Sequence, residues 1–204
     1  MMKRKRKDTT LDDDCDEDNN APISVDRNHI FFYCDVNTKN CLELNKNIIA
    51  VSNKLLALKN EYSGPEDGEV NESMVVKIHI NSLGGAIFDA MSTIDTILNC
   101  PVPVYTYIEG CAASAATLIS VVGEKRFIGK HAHMLIHQLS SVFWGTMADF
   151  DDEMKNLKKL MKIIKKIYCK HTSVPKASLD KILKHDLWWS AKKCLRLKLV
   201  DQIL

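Results

Sequence analysis

A lone serine, Ser114, lies in a run of small residues, Cys111-Ala112-Ala113-Ser114-Ala115, that would leave its hydroxyl accessible. The residues before the run have the pattern of a strand, and residues 116–122 form an apolar, helix-like stretch. A serine at a strand-to-helix junction lies beside backbone N–H groups that can stabilise an oxyanion. The stretch therefore fits a nucleophilic serine, although small residues around a serine are also typical of tight helix packing.

A serine nucleophile needs a base, and the base needs an acid that fixes its tautomer. His137 is the candidate base, because it ends a short apolar strand and polar residues follow it. Asp186 is the candidate acid, and it lies just before the final helix. Each residue also has a structural interpretation, His137 as an ordinary structural histidine and Asp186 as a helix cap or a surface acid.

A glycine pair, Gly84-Gly85, ends the second predicted strand and would let backbone approach a substrate closely. In parallel α/β sheets, sites lie beyond the carboxyl ends of the strands. Because both the glycine turn and Ser114 fall at such ends, the sequence predicts that they share one site.

The elements that must position these residues alternate between strand and helix. This alternation with short connections predicts an α/β domain with parallel strands joined by right-handed crossovers. The predicted strands are 30–34, 75–81, 102–108 and 134–137. The predicted helices are 42–60, 86–99, one that begins near Ser114 and one that begins near Pro175. A last helix and a last strand are predicted within 191–204. An acidic loop is predicted at 63–68.

A longer helix is predicted from Met147 to Lys170, with many lysines on one side and an apolar stripe on the other. The stripe consists of Phe150, Met154, Leu157, Leu160, Met161, Ile164 and Ile167. The helix either lies across the sheet as part of the core or forms an interface in a homo-oligomer.

Bulk composition indicates a soluble globular domain without a strong pull toward nucleic acid or membrane. The chain has 204 residues, 46% hydrophobic and 26% charged, with a formal net charge of +2. No apolar run is long enough for a membrane span, and the basic N-terminal residues lack the apolar segment typical of a secretory signal. The seven cysteines contain no CxxC pair, which favours reduced thiols in an intracellular compartment. The cytoplasm is the preferred compartment, and an organelle or the nucleus is the alternative.

Residues 1–26 form a charged segment that is predicted to be a disordered tail, with the globular domain spanning 27–204. Basic residues 3–7 are followed closely by two acidic clusters. The basic run could serve as a nuclear address, and the alternative is a solvated, self-neutralising tail.

Four motifs in order identify the domain as resembling the ClpP family of serine endopeptidases. They are Asn81-Ser82-Leu83-Gly84-Gly85, Glu109 to Ala115, Met134-Leu135-Ile136-His137-Gln138, and Asp186-Leu187-Trp188-Trp189-Ser190-Ala191. The resemblance implies the ClpP/crotonase-like fold of repeated β-β-α units with a projecting handle helix. It implies Ser114 as nucleophile, His137 as base, Asp186 as orienting acid, and an oxyanion hole from the backbone N–H groups of Gly85 and Ala115.

The resemblance also implies partners. The handle, made of the long helix and the strand before it, would join heptameric rings of a homo-oligomer, which could stack into a chamber where unfolded polypeptides are cut. A AAA+ unfoldase would feed the chamber, and no cofactor or metal is expected. The chain departs from the family at Leu83, where proline is usual, at residues 140–145, which are poorer in glycine, and at Lys198, where glycine is usual. The family's N-terminal axial loop and first helix have no clear counterpart.

Three alternatives remain open from the sequence. His131, His133 and His137 fall on one side of an extended segment and could bind a metal. The chain could be a non-catalytic ring subunit that keeps the fold for assembly. It could also be a crotonase-like acyl-CoA enzyme, since the two folds are related.

Overall fold

The computed structural model describes residues 23–61 and 72–204, and this part of the chain contains eight strands, six α-helices and a short 3-10 helix at Glu72–Met74. The strands are β1 (Ile23–Asp26), β2 (His29–Phe32), β3 (Val76–Ser82), β4 (Val104–Ala113), β5 (Lys125–Ile128), β6 (His133–Leu135), β7 (Trp188–Ser190) and β8 (Gln202–Ile203). The helices are α1 (Thr38–Glu61), α2 (Ile87–Leu98), α3 (Ala115–Val121), α4 (Met147–His171), α5 (Lys176–Leu183) and α6 (Ala191–Arg196). The predicted loop 63–68 and the basic run 3–7 lie outside the described residues.

A parallel sheet forms the centre of the domain, which confirms the α/β prediction. Strands β2, β3, β4, β5 and β8 pair in parallel in that order. One face of the sheet is covered by helices, and the core between them includes fully buried side chains from β3, α1 and α3: Ile78, Ile80, Leu44, Ile48 and Ile119. Burial of these side chains fixes the strand ends on which the site depends.

Strand β1 corrects the predicted boundary of the N-terminal tail. Residues 23–26, which the charge pattern assigned to the disordered tail, pair antiparallel with β2, so that Ile23 lies opposite Phe32. Both of these side chains are buried, and their burial supports the pairing. The charges that precede Ile23 masked this short strand, and the described fold includes the chain from Ile23 onward.

Strand β4 is longer than the predicted 102–108, because it changes partner halfway along. Its first half, residues 105–108, pairs with β5, and its second half, residues 111–113, pairs with β6. Gly110 lies between the halves with φ +79°, and a Cβ there would lie 2.8 Å from Asn81 Oδ1. Glycine therefore permits the change of partner, which carries β4 directly to Ser114.

Helix α4 confirms the predicted long helix and projects from the domain. Its 25 residues give it a length of about 37 Å. Ile164 and Tyr168 near its C-terminal end are buried, whereas Phe150 and Met154 near its N-terminal end are half exposed. The strand expected before it is not formed, since residues 136–146 contain no strand and no described strand pairs with that segment. None of the described helices combines the length and apolarity that crossing a membrane requires.

Candidate active site

Three strand ends meet at Ser114, and the register of the sheet decides which residues become neighbours. Ser82 of β3 pairs with Ala112 of β4, so that Gly84 follows beside Ser114. Ala113 of β4 pairs with Leu135 of β6. Ser114 comes directly after Ala113, and His137 comes two residues after Leu135, so both lie just beyond this pair. The structure thus brings the glycine turn and Ser114 together at the carboxyl ends of β3 and β4, where the sequence predicted a shared site.

Ser114 has a backbone conformation that few non-glycine residues adopt. Its φ is +52° and its ψ is −126°, and it joins β4 to α3 without an intervening loop. Its N–H donates to Leu135 O at 2.9 Å. Its carbonyl accepts hydrogen bonds from Thr117 N at 3.0 Å and from Thr117 Oγ1 at 2.6 Å. Unusual backbone conformations that the surroundings hold in this way are common at functional sites.

Gly84 packs directly against the Ser114 turn. It has φ +95°, and a Cβ built on it would lie 2.7 Å from Ser114 Cβ and 2.6 Å from Ala113 O. No larger residue fits there without displacing the serine. Ser82 Oγ accepts a hydrogen bond from Gly84 N at 3.2 Å, while the Leu83 side chain is exposed. The turn is thus closed by a serine hydroxyl at the position before the leucine.

Gly85 is fixed against the segment that precedes α1. Val36 N donates to Gly84 O at 2.9 Å, and Ala86 N donates to Val36 O at 2.8 Å. These two bonds form the bridge between Val36 and Gly85 and do not use the N–H of Gly85. A Cβ at Gly85 would lie 2.1 Å from Val36 O, so glycine is required for this close approach.

The side chains of His137 and Asp186 form a pair, because the antiparallel pairing of β6 with β7 brings the two residues opposite each other. Leu135 of β6 lies opposite Trp188 of the antiparallel β7, and continuing that register by two residues places His137 opposite Asp186. His137 Nδ1 and Asp186 Oδ1 are 3.1 Å apart, with the histidine side chain 23% exposed and the aspartate side chain 75% exposed. A partner on Nδ1 leaves Nε2 available as a base.

Ser114 and His137 line one small apolar cavity. Its volume is about 30 Å³, and its walls include Ile87, Leu118 and Ile164. Within the described residues, the Ser114 hydroxyl forms no hydrogen bond to His137, and catalytic hydrogen bonds often tighten only when substrate binds. A cavity of this size holds about one water molecule.

The three histidines that could have formed a metal site are not brought together. His137 pairs with Asp186, and His133 Nδ1 lies 3.0 Å from the carbonyl oxygen of His131. Across residues 23–61 and 72–204, no group of three His, Cys, Asp or Glu side chains is arranged to hold a metal ion.

Two residues at the site were missed by the sequence analysis. Thr117 contacts the Ser114 carbonyl, and its hydroxyl lies 2.6 Å from the buried Tyr168 hydroxyl. The spacing of three positions between Ser114 and Thr117 on a helix could have indicated the first contact. Tyr168 is 51 positions from Thr117, and no local pattern connects them.

Comparisons with known proteins agree with the geometry. The family described as Clp protease matches residues 43–204. A protein of Deinococcus radiodurans named "ATP-dependent Clp protease proteolytic subunit" is 29% identical over 136 residues, which cover 66% of this chain and 67% of that protein. A solved structure of a ClpP1 point mutant from Listeria monocytogenes has a TM-score of 0.72 and 19% identity, and the match covers 87% of this chain and 91% of that one. At that identity, the structural likeness shows the fold.

Proposed function

The chain belongs to the Clp protease family, and from that premise we propose that it is a serine endopeptidase that cleaves unfolded polypeptides inside an oligomeric ring. In this proposal, Ser114 is the nucleophile, His137 the general base and Asp186 the acid that orients the imidazole. The observation that carries the proposal is the His137–Asp186 pair at 3.1 Å, which the strand register places beside the Ser114 turn.

The proposed reaction follows from these positions. His137 Nε2 takes the proton of Ser114 Oγ as the oxygen attacks the carbonyl carbon of a peptide bond. Asp186 fixes the tautomer through Nδ1 and stabilises the imidazolium that forms. When the tetrahedral intermediate collapses, His137 gives the proton to the leaving amine. Water then attacks the acyl-enzyme with His137 again as base, which releases the second product and regenerates Ser114.

The oxyanion of the intermediate is bound, in this proposal, by the N–H groups of Gly85 and Ala115. The bridge to Val36 does not use the N–H of Gly85. Ala115 is the first residue of α3, and the first N–H groups of a helix have no intrahelical acceptor. Both donors are backbone groups held by close packing, which is the preorganisation that oxyanion stabilisation needs.

The substrate class is proposed from the small size of the cavity beside Ser114. The cavity beside Ser114 holds about one water molecule, so we expect a substrate to be recognised along the surface around Ser114. An extended, unfolded polypeptide can bind in this way. The Deinococcus relative is named as ATP-dependent, which supports a AAA+ unfoldase as the partner that supplies such chains.

Assembly is supported by the uncovered part of α4. The stripe of apolar side chains is buried at Ile164 and Tyr168 but exposed at Met154, Phe150 and Met147, the last of which is 80% exposed. Exposed apolar patches of this kind mark interfaces. We assign this part of α4 to contact with a second copy of the chain, as expected for stacked heptameric rings.

Peptidase activity is tested by comparing wild type, Ser114→Ala and Ser178→Ala on a fluorogenic peptide. Ser178 is an exposed serine in α5 and provides a matched control. We expect Ser114→Ala to lose at least about 10³-fold in kcat/KM and Ser178→Ala to retain the wild-type rate. If Ser114→Ala retains wild-type activity, the triad assignment is wrong. If wild type forms rings but has no activity, the chain is a non-catalytic ring subunit.

The interface is tested by Phe150→Glu, with Lys159→Glu as its control. Lys159 is exposed and lies on the opposite side of the same helix, half a turn from the Phe150 stripe. We expect Phe150→Glu to reduce the assembly to smaller species in native mass spectrometry, because burying a carboxylate in an apolar interface is costly. An unchanged assembly, or an equal loss in Lys159→Glu, would contradict the assignment.

A further inference from the structure

Two buried hydroxyl groups connect α4 to the turn that carries Ser114. Thr117 Oγ1 and Tyr168 Oη are 2.6 Å apart, with Thr117 fully buried and Tyr168 1% exposed. Thr117 lies in the first turn of α3, and Tyr168 lies near the C-terminal end of α4. Buried polar groups of this kind are retained where they are satisfied by partners.

The direction of the hydrogen bonds is fixed by counting protons. The Thr117 hydroxyl donates to the carbonyl oxygen of Ser114 at 2.6 Å, and a hydroxyl has one hydrogen to donate. Tyr168 must therefore be the donor to Thr117. Burial raises the pKa of Tyr168, so its phenol keeps the hydrogen. The result is a chain of donation from Tyr168 to Thr117 to the Ser114 carbonyl, which also accepts from Thr117 N at 3.0 Å.

The Ser114 carbonyl belongs to the same peptide unit as the N–H of Ala115. That unit is planar, and its C=O and N–H point in opposite directions. Fixing the direction of the Ser114 carbonyl therefore fixes the direction of the Ala115 N–H. Ser114 itself has φ +52°, a conformation that relaxes readily when its contacts are removed.

We propose that Thr117 and Tyr168 are positioning residues that orient the Ser114–Ala115 peptide, so that the Ala115 N–H faces the oxyanion of the tetrahedral intermediate. This inference rests on the proposed function. Neither residue touches the substrate. Their effect is on transition-state stabilisation, which changes kcat rather than KM.

The test uses single-atom or isosteric changes in the full-length chain. Tyr168→Phe removes only the phenol oxygen, Thr117→Val removes the relay hydroxyl, and Thr117→Ser keeps that hydroxyl. Thr106→Val is the matched control, because Thr106 is also fully buried and its hydroxyl donates to Ser120 O at 2.8 Å, at the other end of α3. Steady-state kinetics on a fluorogenic peptide and thermal unfolding are measured for these four variants and for the double variant Tyr168→Phe/Thr117→Val.

We expect Tyr168→Phe and Thr117→Val to lower kcat about tenfold with KM within about twofold of wild type, because a misdirected oxyanion donor acts on the transition state alone. Thr117→Ser restores most of the rate, and Thr106→Val lowers the unfolding midpoint without lowering kcat. The double variant Tyr168→Phe/Thr117→Val loses no more than Thr117→Val alone, because both changes break one chain of hydrogen bonds.

Two failures are distinguishable. If wild type is active and both Tyr168→Phe and Thr117→Val keep kcat within about twofold, the positioning role is overturned and the proposed function stands. If wild type is inactive, the proposed function fails, and amide hydrogen exchange decides the coupling instead. Faster exchange at residues 115–118 in Tyr168→Phe, but not in Thr106→Val, then supports the coupling, and unchanged exchange overturns it.

Discussion

Replacing Gly84 with alanine tests whether the glycine turn positions Ser114. The new Cβ would lie 2.7 Å from Ser114 Cβ, whereas two carbon atoms pack best at about 3.5–4.0 Å, so the serine must move by about 1 Å. A displacement of this size costs about 100-fold in rate. The φ of +95° adds about 1–2 kcal/mol of backbone strain, and the overpacking adds about 1–3 kcal/mol.

The matched control is Gly129→Ala. A Cβ at Gly129 would lie 3.6 Å from Ile108 O and 3.8 Å from Ala132 Cβ, which are ordinary contacts. We expect Gly84→Ala to lower kcat about 100-fold and the free energy of unfolding by about 2–5 kcal/mol, while Gly129→Ala changes neither by much. Fluorogenic peptide kinetics and urea unfolding measure both. Equal activity in the two alanine variants would refute the packing argument.

Two further changes give definite expectations. Asp186→Asn should lower kcat by about 10²-fold, which is less than the 10⁴-fold typical of a buried triad aspartate. The smaller loss is expected because the Asp186 side chain is 75% exposed, so that water can also hydrogen-bond to the imidazole. A loss of kcat smaller than about threefold would count against the orienting role. Asp201→Asn should reduce stability at pH 7 and flatten its decline in acid. Burial would raise the pKa of Asp201, but hydrogen bonds from Arg126 hold it below its ordinary value of 3.8. Its stabilisation is therefore complete above pH 3.8 and is lost as the pH falls through the folded pKa. Urea midpoints from pH 7 to pH 3 measure this, and an equally steep decline in the variant would show that Asp201 does not contribute.

The regular elements of the fold could be predicted because they carry strong periodic patterns. The alternation of strands and helices and the stripe of α4 are of this kind. Three short strands, β1, β5 and β7, were not predicted, since three or four residues are too few to show a period. Strand β1 was masked by neighbouring charges, and β7 contains only Trp188, Trp189 and Ser190. At Gly110, where β4 changes partner, the chain passes close to the Asn81 side chain, and no local pattern reveals this long-range contact.

The candidate site likewise contains features that could be predicted from the sequence and features that could not. Ser114, His137 and Asp186 could be chosen from residue type, position at element ends and the family resemblance, and the structure brings the last two into contact. What the sequence could not supply is the reason for that contact, because it depends on the register between β6 and β7. The hydroxyl chain from Tyr168 through Thr117 was likewise hidden, since it connects α4 to α3 through the core. The catalytic roles of the three residues stay a prediction until they are measured.

The central claim is that Ser114 is a nucleophile activated by His137, and covalent labelling tests it most directly. Wild type, Ser114→Ala and His137→Ala are incubated with a fluorophosphonate, and the adduct is located by mass spectrometry of the digested protein. We expect one adduct per wild-type chain, on Ser114, no adduct in Ser114→Ala, and labelling slowed by at least about 10²-fold in His137→Ala. Labelling of another residue, or an equal rate in His137→Ala, would contradict it.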